Sequence, residues 1–509
     1  MNIKEAKEQI KNTVQVYLKK DDNGEYKIPV IHQRPILLIG APGIGKTAIM
    51  EQVARECNIG LVAYTITHHT RQSAIGLPVI EKKIYADKEY TVTEYTMSEI
   101  ISSIYSQMEE RGVREGILFI DEINCVSETL APTMLQFLQK KTFGMHEVPE
   151  GWIIVAAGNP PEYNKSVKEF DIVTLDRLKW IDVEPDYNVW KEYAYEQQIH
   201  GAILSYLDIK KEHFYEIRTT VDGKEFATPR GWEDLSKLMR VYEEMNLKID
   251  ENVICQYLQH KQIAKDFANY VDLYAKYKEQ YKVDDIVDGK IREETIEKIK
   301  EARFDEKLSL LGLLVDKLGQ ICHEAEEEEL YVEKLFAFLK DIKQQTTVAW
   351  RQDGGILNLL EDFIAFEKEK WEKNKKFMAQ EDRVAGKRSI ETAQSYLRML
   401  EKEGIKDMQV GFNLIKEQFG IVKDGRIQKI ERGENALSYA FSFMEQAFGA
   451  SQEMAVFVTN LTSNMSIMKF IRENDCEEYY KYQEELFFDK KQQDILGEID
   501  KIQKILDLS

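Results

Sequence analysis

Hydrophobic positions divide the chain into two regions with different periodicities. In about the first 185 residues, short apolar runs alternate with longer segments of helical spacing. The runs are ILLI (36–39), LVAYTI (61–66), GILFI (116–120) and WIIVAA (152–157). Such runs are typical of strands buried on both faces, and strand–helix alternation predicts a parallel sheet covered by helices. The predicted fold class of this region is therefore α/β.

The rest of the chain has the pattern of helices. All ten prolines lie at or before Pro229, and proline is excluded from helix interiors. The pattern becomes helical from Pro185 to about Lys290, and Thr228 followed by Pro229 fits an N-cap and a first helical position. The polar stretch KVDDIVDGK (282–290) predicts a linker. The predicted domains are an α/β subdomain (1–185), a small helical lid (186–285) and an all-helical C-terminal domain (291–509).

Two hairpins are expected inside the α/β region. Residues 81–95 (EKKIYADKEYTVTEY) have a turn-like centre between two arms rich in residues that favour strands, and we interpret them as an inserted hairpin. Residues 142–152 (TFGMHEVPEGW) form a second candidate hairpin that leads directly into the fourth predicted strand.

Composition and charge restrict the classes of protein to which the chain can belong. Of its 509 residues, 31% are charged, and the formal net charge is −20 at pH 7. Such a surface repels nucleic acids and anionic membranes, so we expect neither as a partner. No apolar run approaches the ~20 residues that span a bilayer, and the N-terminus lacks the apolar core of a signal peptide. Since the five scattered cysteines also form no disulfide or zinc pattern, we expect a cytoplasmic protein without membrane insertion.

A glycine-rich loop follows the first predicted strand. GAPGIGKT at 40–47 satisfies the pattern G-x-x-x-x-G-K-[ST] and lies between a buried strand and a helix. In this context, backbone amides near Gly43 and Gly45 face phosphate oxygens at a helix N-terminus. Lys46 reaches the β- and γ-phosphates, and the Thr47 hydroxyl is a ligand for Mg²⁺. The predicted nucleotide-binding residues are Gly40, Ala41, Pro42, Gly43, Ile44, Gly45, Lys46, Thr47 and Ala48.

Two adjacent carboxylates end the third predicted strand, within ILFIDEIN (117–124). Asp121 can hold Mg²⁺, and Glu122 can polarise a water molecule for attack on phosphorus. An acidic pair is a weak signal by itself, because exposed strand ends often carry acids. After a phosphate-binding loop at this distance, however, the pair favours hydrolysis over simple nucleotide storage.

Three further polar side chains follow in order along the chain. Asn159 ends the buried strand in WIIVAAGNP (152–160), and its amide can orient water against a γ-phosphate. Arg177 lies in TLDRL (174–178), and Arg230 lies in the first turn of the helix predicted in ATPRGW (227–232). An isolated arginine is usually one partner of a surface ion pair. The order and spacing of the whole series favour a nucleotide site instead.

This series resembles the AAA+ ATPases and, within them, the MoxR group of the clade that has an insertion in helix 2. The resemblance covers roughly residues 1–285. It identifies GAPGIGKT as the Walker A motif and LFIDEIN as the Walker B motif. It also implies that Asn159 is sensor 1, Arg177 the arginine finger and Arg230 sensor 2.

Two features test the narrower assignment to the MoxR group. The hairpin candidate after GLP (76–78) falls where that clade has its insertion. MoxR relatives usually read DEINRA and DRF, whereas this chain has Cys125-Val126 after DEIN and Leu178 after Arg177. These differences leave the implied catalytic roles intact.

The resemblance also implies an activity, an assembly and a partner. It implies Mg²⁺-dependent hydrolysis of ATP bound between the P-loop and the lid. It implies a homo-oligomeric ring, expected to be a hexamer, in which Arg177 points at the nucleotide of the neighbouring subunit. The implied role is that of a remodelling or chaperone ATPase, with a partner that contains a von Willebrand factor A domain. The C-terminal region from residue 291 has no recognisable family signature, and we interpret it as an adaptor for a partner or client.

Two other functions stay open at this point. A nucleotide-gated scaffold would bind ATP with little turnover, which the presence of Glu122, Asn159 and Arg177 argues against. A nucleic-acid-stimulated motor, such as a restriction-type translocase of the same clade, is disfavoured by the net charge of −20. The choice between ATP and GTP is open as well, because the P-loop contacts phosphates rather than the base.

Four other features are interpreted as structural. The adjacent residues His68 and His69 point apart on a strand and are not expected to bind a metal. Cys125 is expected to be a buried, unreactive thiol. The acidic run from Glu324 to Glu329 is interpreted as a solvated helix face or loop. The Phe- and Met-rich segment 436–461 is expected to form a helical core.

Overall fold

The computed structural model describes residues 1–68, 76–143, 146–163, 170–220, 223–348, 355–375 and 378–484. The chain forms two compact units. Unit 1 consists of Met1–Trp190, Lys211–Leu238 and Asp250–Ala264, and unit 2 consists of Lys191–Lys210, Met239–Ile249 and the chain from Lys265 onward. This division differs from the domain boundaries proposed from the sequence, because the segment predicted as a lid contributes to both units.

The strands of the described residues all belong to unit 1. They are β1 (Ile36–Gly40), β2 (Gly60–Thr65), β3 (Pro78–Tyr85), β4 (Lys88–Tyr95), β5 (Gly116–Asp121), β6 (Thr142–Phe143), β7 (His146–Glu147), β8 (Trp152–Gly158), β9 (Lys179–Val183), β10 (Glu216–Thr220) and β11 (Gly223–Ala227). Five of them form a parallel sheet in the order β2-β5-β8-β1-β9. In its centre, Ile36 of β1 is paired with Val155 of β8 and with Lys179 of β9. The predicted α/β fold class is confirmed.

Helices cover the sheet in unit 1 and make up the described part of unit 2. They are α1 (Ile3–Tyr17), α2 (Lys46–Glu56), α3 (Glu99–Arg111), α4 (Ala131–Lys140), α5 (Ile172–Leu175), α6 (Tyr187–Glu196), α7 (Gly201–Ile209), α8 (Pro229–Glu244), α9 (Glu251–Cys255), α10 (Lys261–Tyr281), α11 (Val283–Val287), α12 (Glu293–Glu301), α13 (Phe304–Val348), α14 (Gly355–Asn374), α15 (Gln380–Glu403), α16 (Met408–Phe448), α17 (Gln452–Ser463) and α18 (Met465–Asn474). Short 3-10 helices lie at Val30–His32, Ile66–His68, Ile123–Cys125 and Lys211–His213. The predicted helical C-terminal region is confirmed.

Side chains of the sheet alternate between two apolar layers. Ile36 and Leu38 of β1 pack in one cluster with residues of α1 and α2. Leu37 and Ile39 pack in a second cluster with residues of α3 and α4. Because helices cover both faces, every residue of β1 is buried, and this explains the uninterrupted apolar run in the sequence.

The edge strand β9 was not predicted. Its sequence, KWIDV, alternates in exposure, with Ile181 buried and Trp180 43% exposed. An alternating strand of five residues lacks the continuous apolar run that identified the central strands. Its position at the edge of the sheet accounts for the weaker pattern.

Both predicted hairpins are present. In the first, β3 and β4 are antiparallel, with Pro78 opposite Tyr95 and Tyr85 opposite Lys88. In the second, the two-residue strands β6 and β7 are paired, and β8 begins at Trp152. The first hairpin starts three residues earlier than the sequence suggested, because Pro78, Val79 and Ile80 extend β3.

The prediction that residues 185–290 are helical is wrong for one segment. Strands β10 and β11 form an antiparallel hairpin, with Glu216 opposite Ala227. The helix that follows begins as predicted at Pro229, and the Thr228 hydroxyl accepts a hydrogen bond from the Gly231 amide at 3.2 Å. The N-cap assignment of Thr228 is therefore confirmed.

The prediction of a polar linker at residues 282–290 is also wrong. This segment contains the short helix α11, in which Val283, Ile286 and Val287 are buried in unit 2. These three residues have the i, i+3, i+4 spacing that places apolar side chains on one helix face. The segment is polar by composition, but its apolar residues all face the core.

Long helices build the described part of unit 2. Helix α13 has 45 residues and α16 has 41. The expected core in segment 436–461 is confirmed, since Phe441, Phe443 and Phe457 are all buried. Among the residues that the structure describes, no helix is both long enough and apolar enough to cross a membrane.

The acidic run on α13 is not simply a solvated face, so that interpretation needs correction. Glu328 is only 4% exposed and binds two cations from distant parts of unit 2. Its carboxylate accepts two bonds from the Arg388 guanidinium, at 2.9 and 3.0 Å, and one from Lys429 at 2.7 Å. The neighbouring Glu329 pairs with Arg426 at 2.7 Å. The run therefore connects α13 to α15 and α16.

We predict that Glu328→Gln lowers the free energy of unfolding by about 1–3 kcal/mol at pH 7, because Arg388 and Lys429 lose their shared anion. Burial alone would raise the pKa of Glu328, but the two cations outweigh it and hold the pKa below its ordinary value of 4.5. The stability that Glu328 contributes to the parent protein is therefore present above pH 4.5. It disappears as the pH falls through the lower pKa that Glu328 has in the folded protein. Urea unfolding followed by circular dichroism at several pH values measures it.

The matched control for this prediction is Glu324→Gln. Glu324 is about half exposed, and its contact with Arg432 is longer, at 3.6 Å. Its substitution should change the stability by less than about 0.5 kcal/mol. Equal losses for the two variants, or a loss at Glu328 that does not depend on pH, would contradict the assigned role.

Candidate functional site

The carboxyl ends of three neighbouring strands bring the predicted site residues together. Strands β5, β8 and β1 are adjacent in the sheet. Strand β1 ends at Gly40, where the P-loop begins, β5 ends at Asp121, and Asn159 directly follows β8. Because parallel strands have their carboxyl ends at the same edge, these groups meet there, and that edge is where open α/β sheets bind ligands.

The P-loop has a backbone that only glycine adopts readily. Gly43 and Gly45 have φ angles of 78° and 96°, in the left-handed region. Gly45 is the N-cap of α2, and no side chain caps this helix. The first amides of the helix therefore point toward the loop without a side-chain acceptor, which is the arrangement that binds phosphate.

Lys46 is buried at the centre of the loop, at 8% exposure. Its ammonium group donates to the carbonyl oxygens of Gly40 and Ala41, at 2.7 and 2.9 Å, and to Oδ1 of Asn159 at 2.9 Å. Burial lowers the pKa of Lys46 to about 8, an effect that the Asp121 carboxylate opposes. Any further negative charge that is brought to the loop would therefore stabilise the charged form of the ammonium group.

Thr47 and Asp121 form a pair of oxygen ligands. The Thr47 hydroxyl donates to Asp121 Oδ2 at 3.0 Å, and hydroxyl and carboxylate oxygens are ligands that Mg²⁺ prefers. In the described residues, no group of three or more His, Cys, Asp or Glu side chains is arranged to hold a metal ion. The pair fits Mg²⁺ in the mode in which few protein ligands are completed by substrate phosphates and water.

Glu122 has an unusual backbone and a defined partner. Its φ and ψ angles of 58° and 34° are left-handed, which is uncommon for a residue other than glycine and is frequent at functional sites. The Glu122 amide donates to Asp121 Oδ1 at 2.9 Å. The Thr67 hydroxyl, just beyond β2, donates to Glu122 Oε2 at 2.9 Å. The carboxylate is therefore held in place beside Asp121.

Asn159 is held by Asn124 as well as by Lys46. The Asn124 side chain donates to the backbone oxygen of Asn159 at 2.8 Å and accepts from its amide at 3.3 Å. Asn124 is 6% exposed and lies in the 3-10 turn that follows Glu122. The end of β5 and the end of β8 are thus joined by side-chain hydrogen bonds.

Arg230 lies beside the P-loop. A methyl group placed on Gly43 would be 3.4 Å from the Cβ atoms of both Arg230 and Thr228. The charge of Arg230 also helps to lower the pKa of Lys46, after the larger effect of burial. The structure therefore brings Arg230 to the site, as the sequence suggested.

Arg177 has different neighbours. Its side chain is exposed, and Nη1 donates to Gln139 Oε1 on α4 at 2.6 Å. The pKa of Asp171 is held below its ordinary value, mainly by the Thr174 amide and to a smaller extent by Arg177. The described contacts of Arg177 are thus on the α4–α5 surface and not with the P-loop.

Sequence reasoning missed two residues of the site, Thr67 and Asn124. Asn124 was part of a quoted motif but received no role, although it is a polar side chain only two residues after the acidic pair. Thr67 follows strand β2, whose last residue, Thr65, is paired with Asp121. A polar residue just past a neighbouring strand end is the only sequence signal for Thr67.

Two structural interpretations concern residues close to the site. His69 and the side chain of His68 lie outside the described residues, so their expected lack of metal binding is not tested, but the backbone of His68 ends a 3-10 helix and not a strand. The expectation of a buried Cys125 thiol is wrong, because Cys125 is half-buried, and its Sγ lies 4.0 Å from Asn124 Oδ1. All five cysteines are free thiols.

Residues 35–178 match the family model of the AAA domain (dynein-related subfamily). This range contains the P-loop, both carboxylates, Asn159 and Arg177, whereas Arg230 lies beyond it. The expected resemblance to AAA+ ATPases is confirmed at this level for the matched region, which is 144 of the 509 residues. The match does not distinguish the MoxR group.

Solved structures and curated proteins add little to this assignment. A crystal structure from Cytophaga hutchinsonii, of a protein provisionally named as an ATPase, aligns over 36% of this chain at 14% identity. The alignment covers 46% of that protein, less than half of its length, with a TM-score of 0.23. So low a score supports no argument about fold or function. No curated protein matches the chain.

We predict that Gly45→Ala weakens ATP binding at least tenfold, because an alanine at a φ of 96° strains the loop and moves its amides. No atom lies within 4 Å of the added methyl group, so the effect comes from the backbone and not from a clash. Titration with a fluorescent ATP analogue measures the affinity, and thermal unfolding measures the stability.

Gly112→Ala is the matched control. Gly112 ends α3 with a φ of 68°, and nothing lies within 4 Å of an added methyl group. Both variants should lose about 1 kcal/mol of stability, but only Gly45→Ala should lose affinity for ATP. Unchanged ATP binding by Gly45→Ala would show that the loop conformation is not needed for binding.

Proposed function

We propose that this chain is a Mg²⁺-dependent AAA+ ATPase that uses ATP hydrolysis to remodel or assemble partner proteins. The observation that carries the proposal is the convergence of Lys46, Asp121, Glu122 and Asn159 at one sheet edge. The Lys46–Asn159 distance is 2.9 Å and the Thr47–Asp121 distance is 3.0 Å. A phosphate-binding cation, an Mg²⁺-type oxygen pair, a base and a water-orienting amide are the groups that phosphoryl transfer to water requires.

The binding step uses Lys46 and the amides of the P-loop. The ammonium group donates to three protein oxygens, and phosphate oxygens are stronger acceptors because they are charged. Turning Lys46 toward the β- and γ-phosphates would release the Oδ1 atom of Asn159. Nucleotide binding would in this way free the amide that orients the attacking water.

The hydrolytic step uses Glu122 as the general base. Its carboxylate takes the proton of the attacking water as the oxygen approaches the γ-phosphorus. Thr67 donates to the Glu122 Oε2 atom and leaves the other carboxylate oxygen for the water. Thr47 and Asp121 would hold Mg²⁺, which neutralises charge on the phosphate oxygens when it is bound. Arg230, which lies beside Gly43 of the loop, would contact the γ-phosphate.

The assembly we propose is a homo-oligomeric ring, expected to be a hexamer. Arg177 supports it, because this exposed arginine lies on the α4–α5 surface rather than at its own P-loop. It would reach the nucleotide of a neighbouring copy. A contact between two different surfaces of one chain is heterologous and closes only as a ring.

The partner we propose is a protein with a von Willebrand factor A domain, as the MoxR resemblance suggests. We propose that both proteins act in the cytoplasm. The helices from α13 onward would serve as the adaptor for that partner or its client. The net charge of −20 disfavours nucleic acid as a partner. The inserted hairpin supports the MoxR-type assignment, since β3 and β4 lie where that clade has its insertion.

We predict that Glu122→Gln binds ATP and Mg²⁺ but loses nearly all hydrolysis, because an amide cannot accept the proton of water. Lys46→Ala should fail earlier, at nucleotide binding. Phosphate release and equilibrium titration separate the two defects. Turnover by Glu122→Gln at the parent rate would show that another group is the base. The same variant, used to capture proteins in the ATP state, tests the proposed partner.

We predict that a mixture of Arg177→Ala and Lys46→Ala proteins regains part of the activity that each lacks alone. In mixed rings, some intact P-loops face intact arginines, and an arginine finger contributes roughly 10³–10⁵ in rate. Gln139→Ala, which removes the resting partner of Arg177, is the control and should retain hydrolysis. No recovery in assemblies that are shown to be mixed would rule out a trans-acting Arg177.

A further inference from the structure

Asn124 contacts the backbone of Asn159 through both ends of its side-chain amide, because it bonds to the C=O and to the N–H of that one residue. Nδ2 donates to the carbonyl oxygen of Asn159 at 2.8 Å, while Oδ1 accepts from the amide of the same residue at 3.3 Å. The Asn124 carboxamide has a donor and an acceptor on one planar group, which allows it to make both bonds at once. Asn124 is 6% exposed, so neither bond competes strongly with water.

The neighbouring backbone is shaped for this contact. Gly158 directly precedes Asn159, and a methyl group placed on it would lie 2.5 Å from Asn124 Oδ1. At that distance a Cβ atom would force the Asn124 side chain to move. Strand β8 therefore ends in a glycine where the Asn124 side chain approaches most closely, which leaves the amide in direct contact with the strand end.

Asn124 connects Glu122, the proposed base, to Asn159, the proposed water-orienting residue. It follows Glu122 by two residues in the turn closed by the bond from the Cys125 amide to the Glu122 oxygen, at 2.9 Å. Its partner Asn159 accepts from Lys46 through Oδ1. The two backbone bonds thus fix Asn159 relative to Glu122 and leave the Asn159 side chain available for another contact.

We propose that Asn124 is a positioning residue for hydrolysis, which holds the Asn159 amide at the correct distance from the water activated by Glu122. The inference rests on the proposed ATPase function. Asn124 touches neither water nor phosphate and acts only through Asn159. Misplacement of a reacting group by about 1 Å can cost on the order of 10² in rate. Removal of the Asn124 amide should therefore reduce kcat and leave ATP binding unchanged.

The test compares Asn124→Ala, Asn159→Ala and the double variant in steady-state ATP hydrolysis. Asn124→Ala should lower kcat by about 10–100-fold, with KM changed by less than about threefold. The double variant should be no slower than Asn159→Ala alone, because Asn124 has no other route to the reaction. If the two losses multiply, or if KM rises while kcat is retained, the proposal is overturned.

Two further variants keep the test decisive if Asn124→Ala is unstable. Asn124→Asp retains the acceptor but loses the donor and places a carboxylate against the Asn159 carbonyl oxygen, so it should also lose kcat. Ser127→Ala changes an exposed side chain just past the same turn, whose hydroxyl contacts Thr129, and should retain kcat within about twofold. Full activity of Asn124→Asp would overturn the proposal.

Hydrogen exchange separates this inference from the proposed function. The Asn159 amide should exchange at least tenfold faster in Asn124→Ala than in the parent, with or without nucleotide. A parent chain that shows this protection but hydrolyses no ATP would refute the ATPase proposal and with it the positioning role. If the parent protein is active and the Asn124→Ala variant keeps both the amide protection and kcat, the positioning role alone is refuted.

Discussion

The charged Lys46 side chain inside the protein is the constraint on which the site depends. A buried cation is costly unless acceptors surround it. Two of the three acceptors, the Gly40 and Ala41 carbonyl oxygens, belong to the loop itself. The third, Asn159 Oδ1, comes from 113 residues further along the chain. Lys46 therefore requires the P-loop conformation and a neighbouring strand that ends in the correct residue.

The strand order satisfies this requirement. With β8 between β5 and β1, Asn159 lies between the acidic pair and the P-loop. The register is equally important, since Ile36 pairs with Val155 and the two strand ends then coincide. A shift by one residue would exchange the side chains of the strand between the two apolar layers and disturb the packing of both. Apolar packing on both faces thus determines where the polar groups meet.

The sequence was sufficient where one short segment carries its own physical explanation. The P-loop combines glycines that permit left-handed backbone with a lysine at a helix start, and the central strands are uninterrupted apolar runs. It was insufficient where the decisive partner is distant in sequence. The hairpin β10–β11 contains the charged and small residues of EIRTT and GKEFA, and residues 223–226 are exposed or half-buried. Because few residues of this hairpin are buried, its sequence has no recognisable periodicity. The hairpin could therefore not be predicted from the sequence.

The same limitation explains the missed site residues. Thr67 is an exposed threonine after a strand, and nothing near it in sequence indicates that Glu122, 55 residues later, is its partner. Asn124 can be recognised only once β5 and β8 are known to be neighbours. The proposed catalytic residues could be named from the sequence because the chemistry of phosphoryl transfer restricts the residue type. The residues that hold them could not, because many side chains can donate or accept a hydrogen bond.

Charged residues in unit 2 bear on a related problem, which is how the relative positions of long helices are fixed. Apolar stripes on two long helices, such as α13 and α16, are compatible with several relative positions along their axes, because the pattern repeats every few residues. We expect Glu328 to reduce this ambiguity, since in the observed position its carboxylate meets both Arg388 and Lys429. A buried ion pair contributes little net stability compared with apolar packing, yet any slipped arrangement would leave its carboxylate buried without a partner. The acidic run is thus better understood as a determinant of helix register than as a source of stability, and its composition alone could not reveal that role.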